Sequence, residues 1–455
     1  IPEALSRGAQ ALVEKEWVDA PGVVQILVPD VREALARLAA AFYGDPSESM
    51  TLVGITGTNG KTTTSYLLES IVQEGGGKAG VIGTVNYRFA DQVLPATTTT
   101  PESLDLQRNL AAMRQAGVTH AVLEVSSHAL VMNRVRNCDF DVALFTNLTR
   151  DHLDYHGTLE NYFQAKQLLF TQGLRESRKK EHFAVINLDD PKGQELSRMA
   201  CGVLLGYGLE NHRDVWPEKV EESADGQRAR VVTPRGPLAV VSSLIGQHNL
   251  YNIMAAVTAA EALQLSPVAI ASGIEKLKRV PGRLEPVPGK KGIRAFVDYA
   301  HTPDALERAL RALQRIQPRR LVVVFGCGGD RDRGKRPLMG RVAGLESDLA
   351  IITSDNPRSE DPLEIIAEVE KGMAGTNRQK LALRDLSSGN GSVDPAVSGY
   401  LVIPDRREAI RLAIRVAVPG DILLIAGKGH EDYQILGGKK IHFDDREEAA
   451  AALNE

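Results

Sequence analysis

The sequence has few cysteines, little net charge and no long apolar run, and each lack argues against a class of protein. Its three cysteines, Cys138, Cys201 and Cys327, are far apart and form no C-x-x-C pair, so we expect neither a disulfide framework nor a zinc site. A net charge of −4 provides no basic excess with which to hold nucleic acid. No apolar segment approaches the about 20 residues that cross a bilayer, so we expect no membrane insertion and no signal peptide.

The length of 455 residues predicts more than one core, because domains of about 100–200 residues are usual. Polar GDPSES near residue 48 and proline- and glycine-rich RVPGRLEPVPGKKG near residue 280 indicate breaks. We therefore predict three segments, 1–48, 49–279 and 280–455. A polar stretch at 375–399 is predicted to be an exposed excursion. Because the chain begins at Ile1 rather than methionine, we also expect further N-terminal sequence.

Strand-like apolar runs alternate with helical patterns through most of the chain. The runs are AVLEVSS, VALFTNL, FAVINLD, RAFVDYA, RLVVVFG, LAIITSD and DILLIAG. This alternation predicts an α/β fold with parallel sheets covered by helices. Several runs end in polar or glycine-rich loops, which is where open α/β sheets place their ligands.

The loop GTNGKTT, residues 57–63, follows a predicted strand and precedes a helical run. Backbone N–H groups and the positive end of a helix meet there, and Lys61 adds a full charge, so the loop suits a polyphosphate. Thr62 would place its hydroxyl on the accompanying Mg²⁺. The strict nucleotide-loop pattern has glycine where this chain has Ile55, so the loop is a variant with Gly57 closer in. The alternative to nucleotide binding is a plain helix start.

Three side chains after the next strands are candidates for metal binding. Glu124 is either a second Mg²⁺ ligand beside Thr62 or a carboxylate hydrogen-bonded to a loop, and spacing alone does not decide. His152 could bind a metal through its imidazole, whereas Lys166 as an ammonium could not. Lys166 becomes a ligand only if CO₂ carbamylates it, and the alternative is a solvated helical lysine.

The remaining polar residues lie in helix-start and strand-end loops. Asn249 and Asn252, at i and i+3, could read a base edge with their amides, unless an asparagine there only caps the helix. The loop VFGCGGDRDRGKRPLMG places many cations beside glycines, which favours anionic substrates.

Together these motifs resemble the Mur ligases, the ATP-dependent amino-acid ligases that build the peptide of bacterial peptidoglycan. TGTNGKTT, EVSSHAL, NLTRDHLDYHGT, GQHNLYN, PGRLE, DYAHTPD, FGCGGDRDRGKRPLM, DNPRSEDP and GKGHEDYQ occur in the order of that family. The resemblance implies a three-domain α/β architecture. Residues 1–48 would be the last part of an N-terminal UDP-binding domain, 49–279 a central ATP-binding domain with a P-loop-type parallel sheet, and 280–455 a Rossmann-like amino-acid-binding domain.

The resemblance also implies the role of each candidate residue. For ATP it implies the phosphate loop Gly57, Thr58, Asn59, Gly60, Lys61, Thr62 and Thr63, with Asn249, Asn252 and Asp330 at the base and ribose and His301 nearby. For Mg²⁺ it implies Thr62 with Glu124, and His152 with carbamylated Lys166. For UDP-N-acetylmuramoyl-L-alanyl-D-glutamate it implies Thr98, Thr99, Ser126 and Arg134. For meso-diaminopimelate it implies Arg331, Asp355, Asn356, Arg358, Gly427 and Glu431.

The implied reaction transfers a phosphoryl group from ATP to a D-glutamyl γ-carboxylate, after which the amine of meso-diaminopimelate attacks the acyl phosphate. Family members that add this amino acid have the form DNPR, whereas lysine-adding members typically lack the arginine. An alternative role for Arg358 is to tie its loop to Glu360 or Asp361. We expect a monomer in the bacterial cytoplasm.

Two other functions stay open at this stage. Folylpolyglutamate synthase has the same kind of nucleotide-binding loop, although DNPR and GKGHE argue against that function. A non-catalytic nucleotide-binding module would not need Glu124, His152 and Lys166 together.

Overall fold

The N-terminal segment is a small layer of helix and strand. The structure, a computed structural model, describes residues 2–210, 213–223, 225–289, 292–386 and 396–455. The segment consists of the helix Pro2–Ser6, two strands paired in parallel, Ala11–Glu14 and Val24–Leu27, the helix Val31–Phe42 and a 3₁₀ turn, Pro46–Ser49. Asp30 begins the longer helix, because its carboxylate accepts hydrogen bonds from the backbone N–H groups of Arg32 and Glu33.

An eight-stranded sheet forms the core of the central segment. Across the sheet the strands are Val203–Tyr207, Phe183–Asn187, Val142–Phe145, Thr51–Thr56, His120–Glu124, Ala79–Ile82, Asn86–Phe89 and Gln92–Pro95. The first six are parallel to one another, and each of the last two is antiparallel to the strand before it. The carboxyl ends of the parallel strands share one edge, so the loops after Thr56, Glu124 and Phe145 meet there.

Helices cover both faces of this sheet. They are Lys61–Glu74, Ser103–Gln115, Ser127–Val131, Leu153–His156, Leu159–Leu168, Leu174–Glu176, Pro191–Leu196, Gln247–Ala262 and Pro267–Lys276, with a π-helical turn at Leu169–Gly173. A separate antiparallel sheet contains the strands Trp216–Ser223, Gly226–Thr233 and Gly236–Ser242. Alternate residues of one strand face opposite cores: Val53 packs with the helices Lys61–Glu74 and Gln247–Ala262, and Leu52 packs on the other side.

The C-terminal segment contains a second sheet of six strands. In order they are Glu285–Val287, Arg294–Asp298, Ile422–Ala426, Leu321–Phe325, Leu349–Ile352 and Gly399–Val402. The first strand is antiparallel to its neighbour and the others are parallel. The other elements are the helices Pro303–Arg315, Lys335–Glu346, Pro362–Glu370, Arg406–Val416 and Asp445–Asn454, the 3₁₀ turns Met373–Gly375 and Leu383–Leu386, and the hairpin Tyr433–Leu436 with Lys439–His442. Both faces of the sheet are covered, which explains continuous apolar runs such as LVVVF.

The two large segments meet at Ile245 and Gly246. Ile245 is buried in the apolar core of the C-terminal segment. Gly246 has φ +90°, and a Cβ there would lie 2.6 Å from the Cβ of Ala312. This close approach requires glycine.

The predicted α/β class is confirmed, and all seven strand-like runs contain a strand. The boundaries at residues 48 and 279 stay predictions; the two large sheets begin beyond them, at Thr51 and Glu285. In the predicted excursion Leu383 is exposed but Leu386 is buried, so the excursion is not wholly exposed; residues 387–395 lie outside the described ranges. None of the helices in the described part of the chain combines the length and apolarity needed to cross a membrane.

Candidate active site

The loop of residues 57–60 connects the strand Thr51–Thr56 to the helix Lys61–Glu74 and depends on its glycines. Gly60 has φ +91°, and a Cβ there would overlap the Asn252 side chain; one on Gly57 would overlap Thr146. Nζ of Lys61 donates to the carbonyl oxygens of Gly57 (2.8 Å) and Thr58 (2.9 Å). Burial lowers the pKa of Lys61, while Glu124 opposes that shift. The loop thus places a lysine and several backbone N–H groups at one helix end, as phosphate binding requires.

The loop is also tied to the C-terminal segment. The Asn59 backbone N–H donates to Oδ1 of Asn147 (3.0 Å). Nδ2 of Asn59 and Oγ1 of Thr149 both donate to Oδ2 of Asp304, at 2.9 and 3.2 Å. One carboxylate from across the cleft therefore holds two neighbouring loops.

Glu124 and Thr62 place two oxygen atoms that could bind a metal ion beside this loop. Oγ1 of Thr62 donates to Oε2 of Glu124 (3.1 Å), and Nη2 of Arg283 donates to Oγ1 of Thr62 (3.2 Å). Mg²⁺ prefers one or two carboxylates together with substrate phosphates and waters, so this pair fits that ion. Within the described ranges no group of three or more His, Cys, Asp or Glu side chains is placed to hold a metal. Phosphate and water oxygens would supply the other ligands.

Lys166 is 1% exposed on the helix Leu159–Leu168, so the solvated-lysine alternative is wrong. Its Nζ donates to the Gly57 carbonyl (2.9 Å) and lies 4.3 Å from the centre of the Tyr162 ring. Burial, and then the charge of Lys61, lowers the pKa of Lys166 well below its usual range. A neutral amine is the form that reacts with CO₂, so the environment fits carbamylation, which stays a prediction.

His152 lies in the same part of the cleft. Its backbone has φ +52°, and its ring centre is 6.0 Å from that of Tyr162. Burial lowers the pKa of His152 to about 4, although Asp151 opposes the shift. The neutral imidazole that results is the metal-binding form.

Asn249 and Asn252 are buried side by side on the helix Gln247–Ala262. Gly246 is the N-cap of that helix, so the alternative of an asparagine cap is wrong. Nδ2 of Asn252 donates to Oδ1 of Asn249 (3.0 Å), and Nδ2 of Asn249 donates to the Ile245 carbonyl (2.8 Å). The pairing leaves Oδ1 of Asn252 directed at Gly60 of the phosphate loop.

A cleft of about 550 Å³ between the two large segments brings many of these residues together. From the C-terminal side His301 contributes a ring whose Nδ1 is 2.8 Å from the Tyr299 carbonyl oxygen, and burial lowers its pKa. The predicted site residues that line the cleft are Gly57, Thr58, Asn59, Gly60, Lys61, Thr62, Thr63, Thr99, Glu124, Ser126, His152, Lys166, Asn249, Asn252 and His301.

Nine predicted residues lie outside that lining; five of them form the amino-acid cluster described next, and the other four lie elsewhere. Oγ1 of Thr98 donates to the Thr100 carbonyl (3.0 Å), and Arg134 forms an ion pair with Glu102 (2.7 Å). Asp330 is exposed and accepts from Oγ of Ser359 (2.7 Å), while the exposed Arg331 donates to the Asp330 carbonyl (3.2 Å). The structure does not bring Asp330 into the cleft, and its place at the ribose stays a prediction.

Apart from Arg331, the residues predicted to bind the amino acid follow the strands Leu349–Ile352 and Ile422–Ala426, which lie on either side of Leu321–Phe325 in the sheet. Nδ2 of Asn356 donates to Oε2 of Glu431 (2.9 Å), and burial and the charge of Asp355 raise the pKa of Glu431. Gly427 has φ +120°, and a Cβ there would lie 3.0 Å from Oδ2 of Asp355. Nη1 of Arg358 donates to the Gly329 carbonyl (2.6 Å).

Arg358 has no carboxylate within 4 Å among the residues that the structure describes. Glu360 is held instead by two nitrogens of Arg336, at 2.8 and 2.9 Å, and Asp361 caps the helix Pro362–Glu370. The alternative in which Arg358 ties its loop to either carboxylate is therefore wrong. Arg336 is one of the cations of the loop VFGCGGDRDRGKRPLMG that were expected to favour anionic substrates, but it is fully buried in this internal pairing.

Several residues of the site were missed in the sequence analysis. Lys428 is fully buried; its Nζ donates to Oδ1 of Asn356 (3.2 Å) and lies 3.6 Å from Asp355 and 3.5 Å from Glu431. Thr84, which follows the neighbouring strand Ala79–Ile82, donates two hydrogen bonds to the Glu124 carboxylate. Lys428 stands inside GKGHEDYQ, but nothing in its spacing marks it as buried.

Two family models match most of the chain. The Mur ligase middle domain matches residues 55–260, and the Mur ligase, glutamate ligase domain matches residues 282–429. A UDP-N-acetylmuramoyl-L-alanyl-D-glutamate–2,6-diaminopimelate ligase of Geobacter metallireducens is 52% identical over 451 residues, covering 99% of this chain and 87% of the relative. The ligase of that name from Synechocystis is 46% identical over 459 residues, covering 99% and 86%.

Solved structures give the same picture at the level of the fold. A structure of a UDP-N-acetylmuramoyl-L-alanyl-D-glutamate–2,6-diaminopimelate ligase has a TM-score of 0.68 and 36% identity, covering 99% of this chain and 88% of its own. Folylpolyglutamate synthase of Mycobacterium tuberculosis has a TM-score of 0.68 at 19% identity, covering 88% and 93%, which is a likeness of fold alone. From its sequence, its sheets and the residues of its cleft, the chain belongs to the Mur ligase family.

Proposed function

We propose that this protein uses ATP to join meso-diaminopimelate to the D-glutamyl γ-carboxylate of UDP-N-acetylmuramoyl-L-alanyl-D-glutamate. The observation that carries the proposal is the cleft in which the phosphate loop, Glu124 and Ser126 face one another. The relatives named for this reaction are similar over nearly the whole chain.

The chain's own residues supply the electrostatics of the first step. An oxygen of the γ-carboxylate bonds to the γ-phosphorus of ATP as the bond from that phosphorus to the β–γ bridging oxygen breaks, which yields an acyl phosphate and ADP. Lys61 offsets charge on the transferring group. Thr62 with Glu124, and His152 with carbamylated Lys166, would hold Mg²⁺, which supplies further neutralisation of the phosphate oxygens.

The second step forms the amide. The neutral amine of the amino acid attacks the acyl carbon, loses a proton, and phosphate leaves. No protein nucleophile is required, so the chain has to orient three substrates and exclude water from the acyl phosphate. The position of the cleft between two segments suits that task.

The distal end of meso-diaminopimelate carries an ammonium and a carboxylate. Asp355 and Glu431 are two carboxylates beside the one ammonium of Lys428, so they suit a second ammonium. Arg358 suits the carboxylate. We further propose that the protein acts as a monomer in the bacterial cytoplasm without a nucleic-acid partner, in keeping with its net charge of −4.

An acceptor assay tests the proposal. Purified protein is given ATP, Mg²⁺ and the muramoyl dipeptide, and amide product is measured by mass spectrometry with meso-diaminopimelate or L-lysine, with phosphate release measured in parallel. A folate acceptor with glutamate serves as the comparison for folylpolyglutamate synthase activity. We expect product with meso-diaminopimelate. Turnover with the folate pair alone, or no substrate-dependent phosphate release, would contradict the proposal.

A further inference from the structure

We propose that Thr84 is a positioning residue that holds the Glu124 carboxylate in its Mg²⁺-binding orientation and links it to the loop of residues 98–100. This inference deepens the proposed function, since it concerns the metal–nucleotide site of that reaction.

The geometry of Thr84 is that of a two-point clamp. Its backbone N–H donates to Oε1 of Glu124 (3.2 Å), and its Oγ1 donates to Oε2 of the same carboxylate (2.8 Å). Oε2 also accepts from Oγ1 of Thr62 (3.1 Å). Both carboxylate oxygens are thereby fixed, and one of them faces the hydroxyl at the start of the phosphate-loop helix. Partners of metal ligands commonly orient them in this way.

Gly83 completes the clamp from the other side. It precedes Thr84 at the end of the strand Ala79–Ile82, and a Cβ on it would overlap Oε1 of Glu124. Its own φ is not in the left-handed region, so the backbone does not require glycine here. Glycine is required instead because the Glu124 carboxylate occupies the space that a Cβ would need.

Thr84 also connects Glu124 to the loop that resembles the dipeptide site. Its Oγ1 lies 3.1 Å from Oγ1 of Thr99, and Oγ1 of Thr100 donates to the Glu124 carbonyl (2.9 Å). The side chain and the backbone of Glu124 are thus attached to the same loop by different threonines.

The C-terminal segment reaches the same point. The His430 imidazole lies near the backbone of Thr84, and burial together with Arg283 lowers the pKa of His430 to about 3, so the ring is neutral. His430 directly precedes Glu431 of the predicted amino-acid cluster. Thr84 therefore contacts both the metal carboxylate and the dipeptide loop, and His430 of the C-terminal segment lies near its backbone.

Binding measurements test the role without requiring turnover. The affinity of the full chain for the non-hydrolysable ATP analogue AMPPCP is measured by calorimetry with Mg²⁺ and again in EDTA, for the unmodified protein and for Thr84→Val, Thr84→Ser and Gly83→Ala. Thr84→Val removes the hydroxyl at nearly constant volume, and Gly83→Ala displaces the carboxylate independently. Thr233→Val is the control, because it makes the same substitution at a buried threonine whose hydroxyl donates only to a backbone carbonyl, 2.8 Å away at Gly236.

We expect Thr84→Val and Gly83→Ala to weaken binding with Mg²⁺ by about 10-fold or more, the range seen when a partner of a metal ligand is lost. Affinity in EDTA should change less than about twofold, and Thr84→Ser should stay near the unmodified protein. Unchanged Mg²⁺-dependent affinity in both variants, or an equal loss in EDTA, would overturn the proposal. If Thr84→Val does not fold, Gly83→Ala alone decides. Because no step is catalytic, a wrong acceptor assignment would leave this result intact.

Discussion

Removing the Arg358 guanidinium should lower the activity with meso-diaminopimelate and leave the activity with lysine nearly unchanged. Both amino acids present a reacting amine and a distal ammonium, but only the first has a distal carboxylate. In the structure Nη1 of Arg358 is used by the Gly329 carbonyl, which leaves Nε and Nη2 as a planar pair of donors. No carboxylate of the described residues lies within 4 Å of this guanidinium.

The size of the effect follows from those two donors. A hydrogen bond between charged groups contributes about 1.5–3 kcal/mol, which is about 10- to 150-fold in a rate or binding constant. Arg358→Ala should therefore lower kcat/KM for meso-diaminopimelate by at least 10-fold on this scale. The rate with lysine should change little, because lysine offers the arginine no anion. Arg358→Lys should restore only part, since an ammonium lacks the planar fork.

Steady-state amide formation with each amino acid is the assay, at saturating ATP and muramoyl dipeptide. Arg114→Ala is the matched control, because Arg114 also donates to backbone carbonyls, at Gly44 and Tyr43, away from the cleft. Equal losses for both amino acids in Arg358→Ala would refute the specificity argument, because a loop-stabilising arginine would affect both alike.

Three further predictions follow from the cleft. Lys61→Ala should reduce substrate-dependent phosphate release by about 100-fold or more, and release near the unmodified rate would show that the loop assignment is wrong. Lys166→Ala should lose most activity and regain part with added small carboxylates, whereas intact activity, or no carbamate signal in the unmodified protein supplied with ¹³C-bicarbonate, would exclude carbamylation. Burial, with Arg308, lowers the pKa of His248 to about 4, so below about pH 6.5 the unfolded chain binds a proton that the folded chain does not. Stability should thus fall from pH 7 to pH 5, and the fall in thermal midpoint should be smaller in His248→Leu; an equal fall would refute the assignment.

Much of the fold was predictable because buried parallel strands have a simple signature. LVVVF at 321–325 and the phosphate loop at 57–63 were both identified from apolar runs followed by glycines. The strands Trp216–Ser223 and Gly226–Thr233 were not, because they are largely polar and their pairing depends on tertiary contacts.

The candidate site was predictable where a residue type has one chemical use. Lys61 was placed in this way, whereas Glu124 was assigned only by the family resemblance. The burial of Arg336 and Lys428 depends on which carboxylates the fold brings beside them. A cation in a glycine-rich loop looks the same in sequence whether it faces a substrate or an internal partner. Only the packing of Glu360 and Glu368 around Arg336 distinguishes the two cases.

The junction between the two large segments bears on how products escape. Ile245 anchors the central segment in the C-terminal core, while Asn59 and Thr149 reach the other segment through the single carboxylate of Asp304. Hydrogen bonds of this kind contribute about 0.5–1.5 kcal/mol each, or somewhat more to a charged group, and water replaces them readily. Breaking them exposes no apolar core, whereas drawing Ile245 out would. We therefore expect Ile245 to act as a persistent pivot while the contacts of Asp304 are released at each turnover, so that ADP and phosphate leave without partial unfolding.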